Sequence, residues 1–183
     1  MPLQEIKTPL KDLVIILNKV VGDSRGYLAE MAPGGSQNEF LSKGFGNLYA
    51  SVATGQHVAR AGHYHFKSWE NHYTLTGTAL WLFTDFRKES PTFGQSVEII
   101  AGAKAWPTAP KDALHYTLDR QVMAQVYCGP GINHLVWPLT DEPVVIVDAT
   151  SEAYNKEDYA YPKITEIPGI EEILKKYDIN YSN

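Results

Sequence analysis

The chain has 183 residues, 44% hydrophobic and 20% charged, which suits one globular domain and does not require a second. A formal net charge of −5 excludes a general electrostatic attraction to nucleic acid or to anionic membranes. No apolar run is long enough to cross a bilayer, the charged start MPLQEIKTPLKD is unlike a signal peptide, and the one cysteine, Cys128, forbids an internal disulfide, so a cytoplasmic protein is expected.

In chain order, short apolar runs between turn residues predict strands. DLVIIL (12–17) comes first, and RGYLAE (25–30) follows a Gly-Asp-Ser turn. NLYASVA (47–53), HYTLTGTALWLFTDF (72–86, divided at Gly77) and SVEIIA (96–101) continue the pattern. MAQVYC (123–128), HLVWPL (134–139) and PVVIVDA (143–149) complete it. Segments 31–46 and 102–121, rich in Gly, Pro and Lys, read as loops. After Pro168 and Gly169, the spacing of Ile170, Ile173, Leu174 and Tyr177 predicts a helix. Glu171 and Glu172 in its first turn and Lys175 and Lys176 in its last complement the helix dipole. The expected architecture is mostly β, a sandwich or barrel, with a short C-terminal helix outside the barrel or against a dimer partner.

The segment GHYHFKSWENHYTLTG carries His63, His65, Glu70 and Gly77. Side chains alternate along a strand, so His63 and His65 share a face. Glu70 lies beyond a short turn, and His134 follows the Gly-Pro-Gly turn of GPGINHLVW. Imidazole and carboxylate donors in this number suit a divalent ion such as Zn, Fe, Mn, Co or Ni. His57, His72 and His115 read as surface or pocket-wall residues, although His72 shares a face with Glu70 and is placed to support the site from behind. Cys128, beside the turn and with no base adjacent in sequence, reads as a small buried residue.

These spacings resemble the cupin superfamily, with its H-x-H, three or four residues, Glu, six residues, Gly motif. Its second motif, P-x-G-x-x-H, is approximated by Pro130, Gly131 and His134, with Pro and Gly adjacent. The resemblance implies a jelly-roll barrel spanning 1–183 as one domain. Its N-terminal strands would occupy 1–46, the barrel core 47–150 and an extension with the helix 151–183.

Three further stretches resemble the dTDP-4-dehydrorhamnose 3,5-epimerase family. DSRGYLAE (23–30) is similar to its D-x-R-G-x-F-x-E, VARAGHYHF (58–66) to its V-L-R-G-L-H-Y-Q, and TDFRKESPTFGQS (84–96) to its V-D-L-R-x-x-S-P-T-F-G-Q. DATSEAYNKED (148–158) is a weaker echo of its Y-K-x-T-x-Y-Y-x-P-E. The resemblance implies that Arg25 and Arg60 contact a nucleotide diphosphate, with Glu30 near the nucleotide. It puts His63 at the catalytic base and Tyr154 near the acid. The chain departs where that family has its enolate-stabilising lysine, here Glu70, and where it has glutamine, here His65. The W-x-D-P segment that supplies the histidine's aspartate partner is missing, with only Glu166 near its place.

A bound metal would supply the positive charge that the lysine gives in the family, and would make His63 a ligand. Proton transfer would then move to Tyr154, with His72 as second candidate. The reading is a metal-assisted epimerase or isomerase of a nucleotide-linked 4-keto-6-deoxy sugar. The alternatives are a cupin-type sugar phosphate isomerase, a metal-dependent cupin dioxygenase and a non-catalytic sugar-binding cupin. By analogy the chain is expected to form a homodimer by exchanging N-terminal strands, with a small-molecule substrate and neither nucleic acid nor membrane as partner.

Overall fold

The computed structural model describes residues 2–31, 44–55, 58–102, 114–115 and 122–181. The strands are β1 (Pro2–Lys7), β2 (Leu13–Asp23), β3 (Gly26–Ala29), β4 (Asn47–Ala53), β5 (Arg60–His65), β6 (Glu70–Thr76), β7 (Thr78–Asp85), β8 (Ser96–Gly102), β9 (Leu114–His115), β10 (Val122–Cys128), β11 (Ile132–Pro138), β12 (Val144–Thr150) and β13 (Tyr159–Ala160). The helix α1 covers Ile170–Lys176. One sheet runs β1-β2-β10-β6-β12-β4, with β3 paired to β2; the other runs β13-β5-β11-β7-β8-β9. The two sheets form the jelly roll that the sequence suggests. No described helix is long and apolar enough to cross a membrane.

Alternation along the strands builds the core between the sheets. Leu13 and Ile15 of β2, Val126 and Cys128 of β10, and Val144 and Ile146 of β12 meet Ala79, Trp81 and Phe83 of β7. Strand β7 is buried at every position, which alternation alone would not give. Its other face, Leu80 and Leu82, packs with Trp137 and Leu139 beneath Ile170 and Ile173 of α1. The helix therefore lies outside the barrel, on the second sheet. Burial on both faces explains why TALWLF reads as a continuous apolar run.

Strand β2 continues past the predicted 12–17 run because its second half leaves the sheet to form a hairpin with β3, from Val20↔Ala29 to Asp23↔Gly26. Strand β1 escaped prediction because PLQEIK has neither alternation nor an apolar run. The predicted loops at 31–46 and 102–121 lie largely outside the described residues. Gly77 joins β6 to β7 at φ +72, and a Cβ there would come within 2.8 Å of Val144 Cγ2 and 2.9 Å of the Pro143 carbonyl. This one-residue connection demands glycine.

Candidate functional site

Strand register assembles the site. His63 and His65 lie on the same face of β5, and β11 pairs with β5 so that His134 sits opposite His63. Glu70 and His72 share a face of β6, with Cys128 of β10 opposite Glu70 and Asp148 of β12 opposite His72. His65, Glu70, His72, Cys128 and His134 are all buried, while His63 is half-buried. Tyr64, between the two histidines, points away and stacks on Phe86.

The donor atoms converge on Glu70. Its Oε2 lies 2.8 Å from His134 Nε2 and 3.8 Å from His72 Nε2. Its Oε1 lies 3.3 Å from His65 Nε2 and accepts a hydrogen bond from the Tyr49 hydroxyl at 3.1 Å. His134 Nε2 and His63 Nε2 are 3.2 Å apart. The ligand atoms of His63, His65, Glu70 and His134 lie within 4.8 Å of one another, as do those of Glu70, His72, Cys128 and His134. His65 Nε2 and Glu70 Oε2 are buried without a hydrogen bond of good geometry, although the nearest nitrogen–oxygen contacts are short. Donor atoms that converge on one point, two of them without a good hydrogen bond, fit a cation-binding cradle.

Two carboxylates orient two of the rings. Asp148 Oδ1 lies 2.7 Å from His72 Nδ1, and Asp158 Oδ2 lies 3.1 Å from His65 Nδ1. Each contact fixes Nδ1 as the hydrogen-bonded nitrogen and turns Nε2 toward Glu70. Asp158 is held in turn by the Ser68 hydroxyl at 2.5 Å and by the Lys67 and Ser68 amides at 2.7 and 3.2 Å. It closes a single helical turn, Lys156–Asp158, capped by Asn155, whose side chain accepts from the Glu157 amide.

Burial, with His134 as a second cause, lowers His63 to about 3, so its ring is neutral at neutral pH. Burial also works against charge on His134, but Glu70 and Cys128 outweigh it and raise His134 to about 9. Glu70 is held well below the usual carboxylate range, burial being outweighed by His134 and the neighbouring rings. Burial raises Cys128, yet His72 and His134 bring it down to about 7.

A cavity of about 120 Å³ opens beside the cluster, and Tyr49, Arg60, His63, His72, His134 and Asp148 are among its lining residues. Arg60 thus stands at the site, exposed at the start of β5. Arg25 does not: it is exposed on the β2–β3 hairpin, 2.5 Å from Asp23. Glu30, also exposed, follows β3, and neither residue lines the cavity. Tyr154 is 69% exposed and touches the cluster only through Tyr159, ring to ring at 5.6 Å.

Tyr159 was not legible as a site residue, yet its ring lies 5.0 Å from His63 and 4.3 Å from His65. Tyr161 adds a second ring 5.6 Å from His63. Glu166 does not partner a histidine; its carboxylate accepts from the Lys163 amide at 2.7 Å. Cys128 is buried as expected, but the structure gives it the neighbours that the local sequence lacks: His72 Nε2 at 3.4 Å and His134 Nδ1 at 4.0 Å. His57 and the His115 side chain lie outside the described residues.

The family model for dTDP-4-dehydrorhamnose 3,5-epimerase matches residues 7–106. No curated protein sequence matches the chain. Among solved structures, the dTDP-4-dehydrorhamnose 3,5-epimerase of Elizabethkingia anophelis is similar at 24% identity and TM-score 0.67, over 88% of this chain and 81% of that one. The dTDP-6-deoxy-D-glucose-3,5-epimerase of Legionella pneumophila, solved with dTDP-4-keto-L-rhamnose, is similar at 23% identity and TM-score 0.68, over 86% and 76%. A 3'-monoepimerase of Streptomyces bikiniensis, solved with dTDP-quinovose, gives 18% identity and TM-score 0.68, over 88% and 75%. At these identities the likeness is one of fold.

Proposed function

The chain belongs to the dTDP-4-dehydrorhamnose 3,5-epimerase family of carbohydrate isomerases, and we propose that it epimerises or isomerises a nucleotide-linked 4-keto-6-deoxy sugar by removing a proton next to the carbonyl, with a divalent metal held by His63, His65, Glu70 and His134. The observation that carries the metal is the convergence of these four donors, with His65 Nε2 and Glu70 Oε2 buried and lacking good hydrogen bonds. A divalent ion there supplies positive charge beside a carbonyl oxygen, the service that a lysine renders elsewhere in the family.

The remaining roles belong to the chain's own residues. Arg60 at the cavity lining is placed to meet diphosphate oxygens with its planar fork. Arg25 and Glu30 complete the nucleotide site from the exposed hairpin, which in a homodimer is supplied by the partner. His63 holds the ion through its neutral ring rather than acting as base. Proton transfer falls to the exposed Tyr154, which reaches the cluster through Tyr159, while His72, fixed by Asp148, forms the cavity wall. The chain acts as one domain, with barrel and C-terminal extension sharing the site through Asp158.

One observation favours a second, metal-free reading. His63 is neutral and faces the cavity, with His134 raised to about 9 at 3.2 Å. In that reading His63 is the base, and the His134 imidazolium stabilises the developing negative charge.

Metal analysis of the purified chain separates the two readings: about one divalent ion per chain is expected, and a metal-free preparation of full activity selects the second. Deuterium uptake from heavy water into a dTDP-4-keto-6-deoxyhexose tests proton abstraction itself. Full metal occupancy with no exchange into any nucleotide keto-sugar would falsify the epimerase proposal.

A further inference from the structure

The four-donor cluster described above uses only part of what is buried there. Glu70 and His134 belong equally to a second set, completed by His72 and Cys128, whose ligand atoms also lie within 4.8 Å of one another. We propose that Glu70, His72, Cys128 and His134 form an inner site for a thiophilic divalent ion of the zinc or cadmium class.

The two sets differ in chemistry and in access. The outer one includes half-buried His63, which lines the cavity, so an ion held there keeps a side open to a ligand. All four members of the inner set are buried; His72 and His134 line the cavity wall, whereas Glu70 and Cys128 do not. A fully buried set of four protein ligands that includes a thiolate is the pattern of a structural zinc site. A thiolate with two imidazoles and one carboxylate also shifts preference from manganese or magnesium toward zinc and cadmium.

The second ligand, His72, is prepared for the role. Asp148 at 2.7 Å engages its Nδ1, which leaves Nε2 facing Cys128 Sγ at 3.4 Å and Glu70 Oε2 at 3.8 Å. A carboxylate behind a histidine fixes tautomer and ring orientation at metal sites. Cross-strand register supplies the rest, since Cys128 pairs with Glu70 and Val126 with His72 on neighbouring strands. Because Glu70 and His134 are shared, one ion excludes the other, and a thiophilic ion in the inner position withdraws both ligands from the outer one.

Cys128 is the only cysteine in the chain, so any metal–sulfur signal short of methionine ligation reports it. X-ray absorption of the zinc-loaded wild-type chain is expected to show one sulfur among nitrogen and oxygen neighbours. The cobalt-loaded chain is expected to show a near-ultraviolet sulfur-to-cobalt charge-transfer band that zinc bleaches, that Cys128→Ser abolishes and that His63→Ala leaves in place. Cys128→Ser should also weaken zinc binding by more than the roughly 10–100-fold typical of losing an outer partner. A zinc shell of nitrogen and oxygen alone, a missing band in the wild type, or a band that survives Cys128→Ser overturns the proposal. None of these readouts involves a sugar, so they fail independently of the deuterium-exchange test of the epimerase.

Discussion

At the scale of single residues, the groups that aim the donors matter as much as the donors. Asp158 is 6% exposed and does not line the cavity beside the cluster, yet it engages His65 Nδ1 and takes three hydrogen bonds from Lys67 and Ser68. Asp158→Asn keeps the shape and the turn but loses the charge that holds the ring. Metal affinity and proton exchange should each fall about 10–100-fold, with an unchanged circular dichroism spectrum. Isothermal titration of the metal into wild-type and variant chains checks the first figure, and equal affinities would refute the positioning role. Glu70→Gln should be harsher, because it removes the negative charge common to both donor sets; metal content per purified chain is the direct measurement.

At the scale of elements, the TDFRKESPTFGQ stretch shows what part of the resemblance was structural. Asp85 ends β7 fully buried and accepts hydrogen bonds from the Arg87 guanidinium and amide and from the Ser90 and Thr92 hydroxyls. Arg87 also reaches Asp12 at 2.6 Å, tying the loop to the start of β2. Burial alone would raise Asp85, but Arg87, Ser90 and Thr92 hold it well below the usual carboxylate range. A depressed carboxyl stabilises the fold fully above its unfolded value of about 4 and loses that contribution as pH falls toward the lower folded value. Asp85→Asn should therefore cost roughly 3 kcal/mol at neutral pH, and the gap from wild type should narrow below about pH 4 in denaturant titrations. A gap that stayed constant with pH would refute the assignment.

Most strands, and the convergence of His63, His65, Glu70 and His134, were legible because apolar runs, alternation and motif spacing are local. The supports of that set were not legible, because Asp158 is 93 residues from His65 and Asp148 is 76 from His72. Only sheet order brings such pairs together. Cys128 is buried as its sequence suggests, but its ring neighbours were not legible, as the nearest ring nitrogen comes from His72 across a strand pair.

At the scale of the whole molecule, the β2–β3 hairpin is the part that a lone chain leaves unexplained. It stands out with Val21 59%, Tyr27 57% and Leu28 64% exposed, and it carries Arg25 and then Glu30 away from the cavity of its own chain. Three large apolar side chains on one short hairpin are costly to leave in water, and burying each fully recovers about 1.5–3 kcal/mol. The edge strand β4 presents a matching outward row, Leu48 at 59% and Val52 at 44% exposed. Pairing the hairpin of one chain with a second chain would cover apolar surface and return Arg25 to a nucleotide site, the two things its position lacks. Leu28→Asp places a charge in that contact without touching any residue of the histidine cluster. In sedimentation at equal concentration the wild type should run as a dimer and Leu28→Asp should shift toward monomer, with metal content unchanged. The KM for the nucleotide sugar should rise more than kcat falls, since in the proposed arrangement the lost hairpin would bind substrate but move no proton. A variant that stays dimeric would refute the hairpin as the dimer contact, and a monomer with an unaltered KM would show that Arg25 does not serve its partner's site.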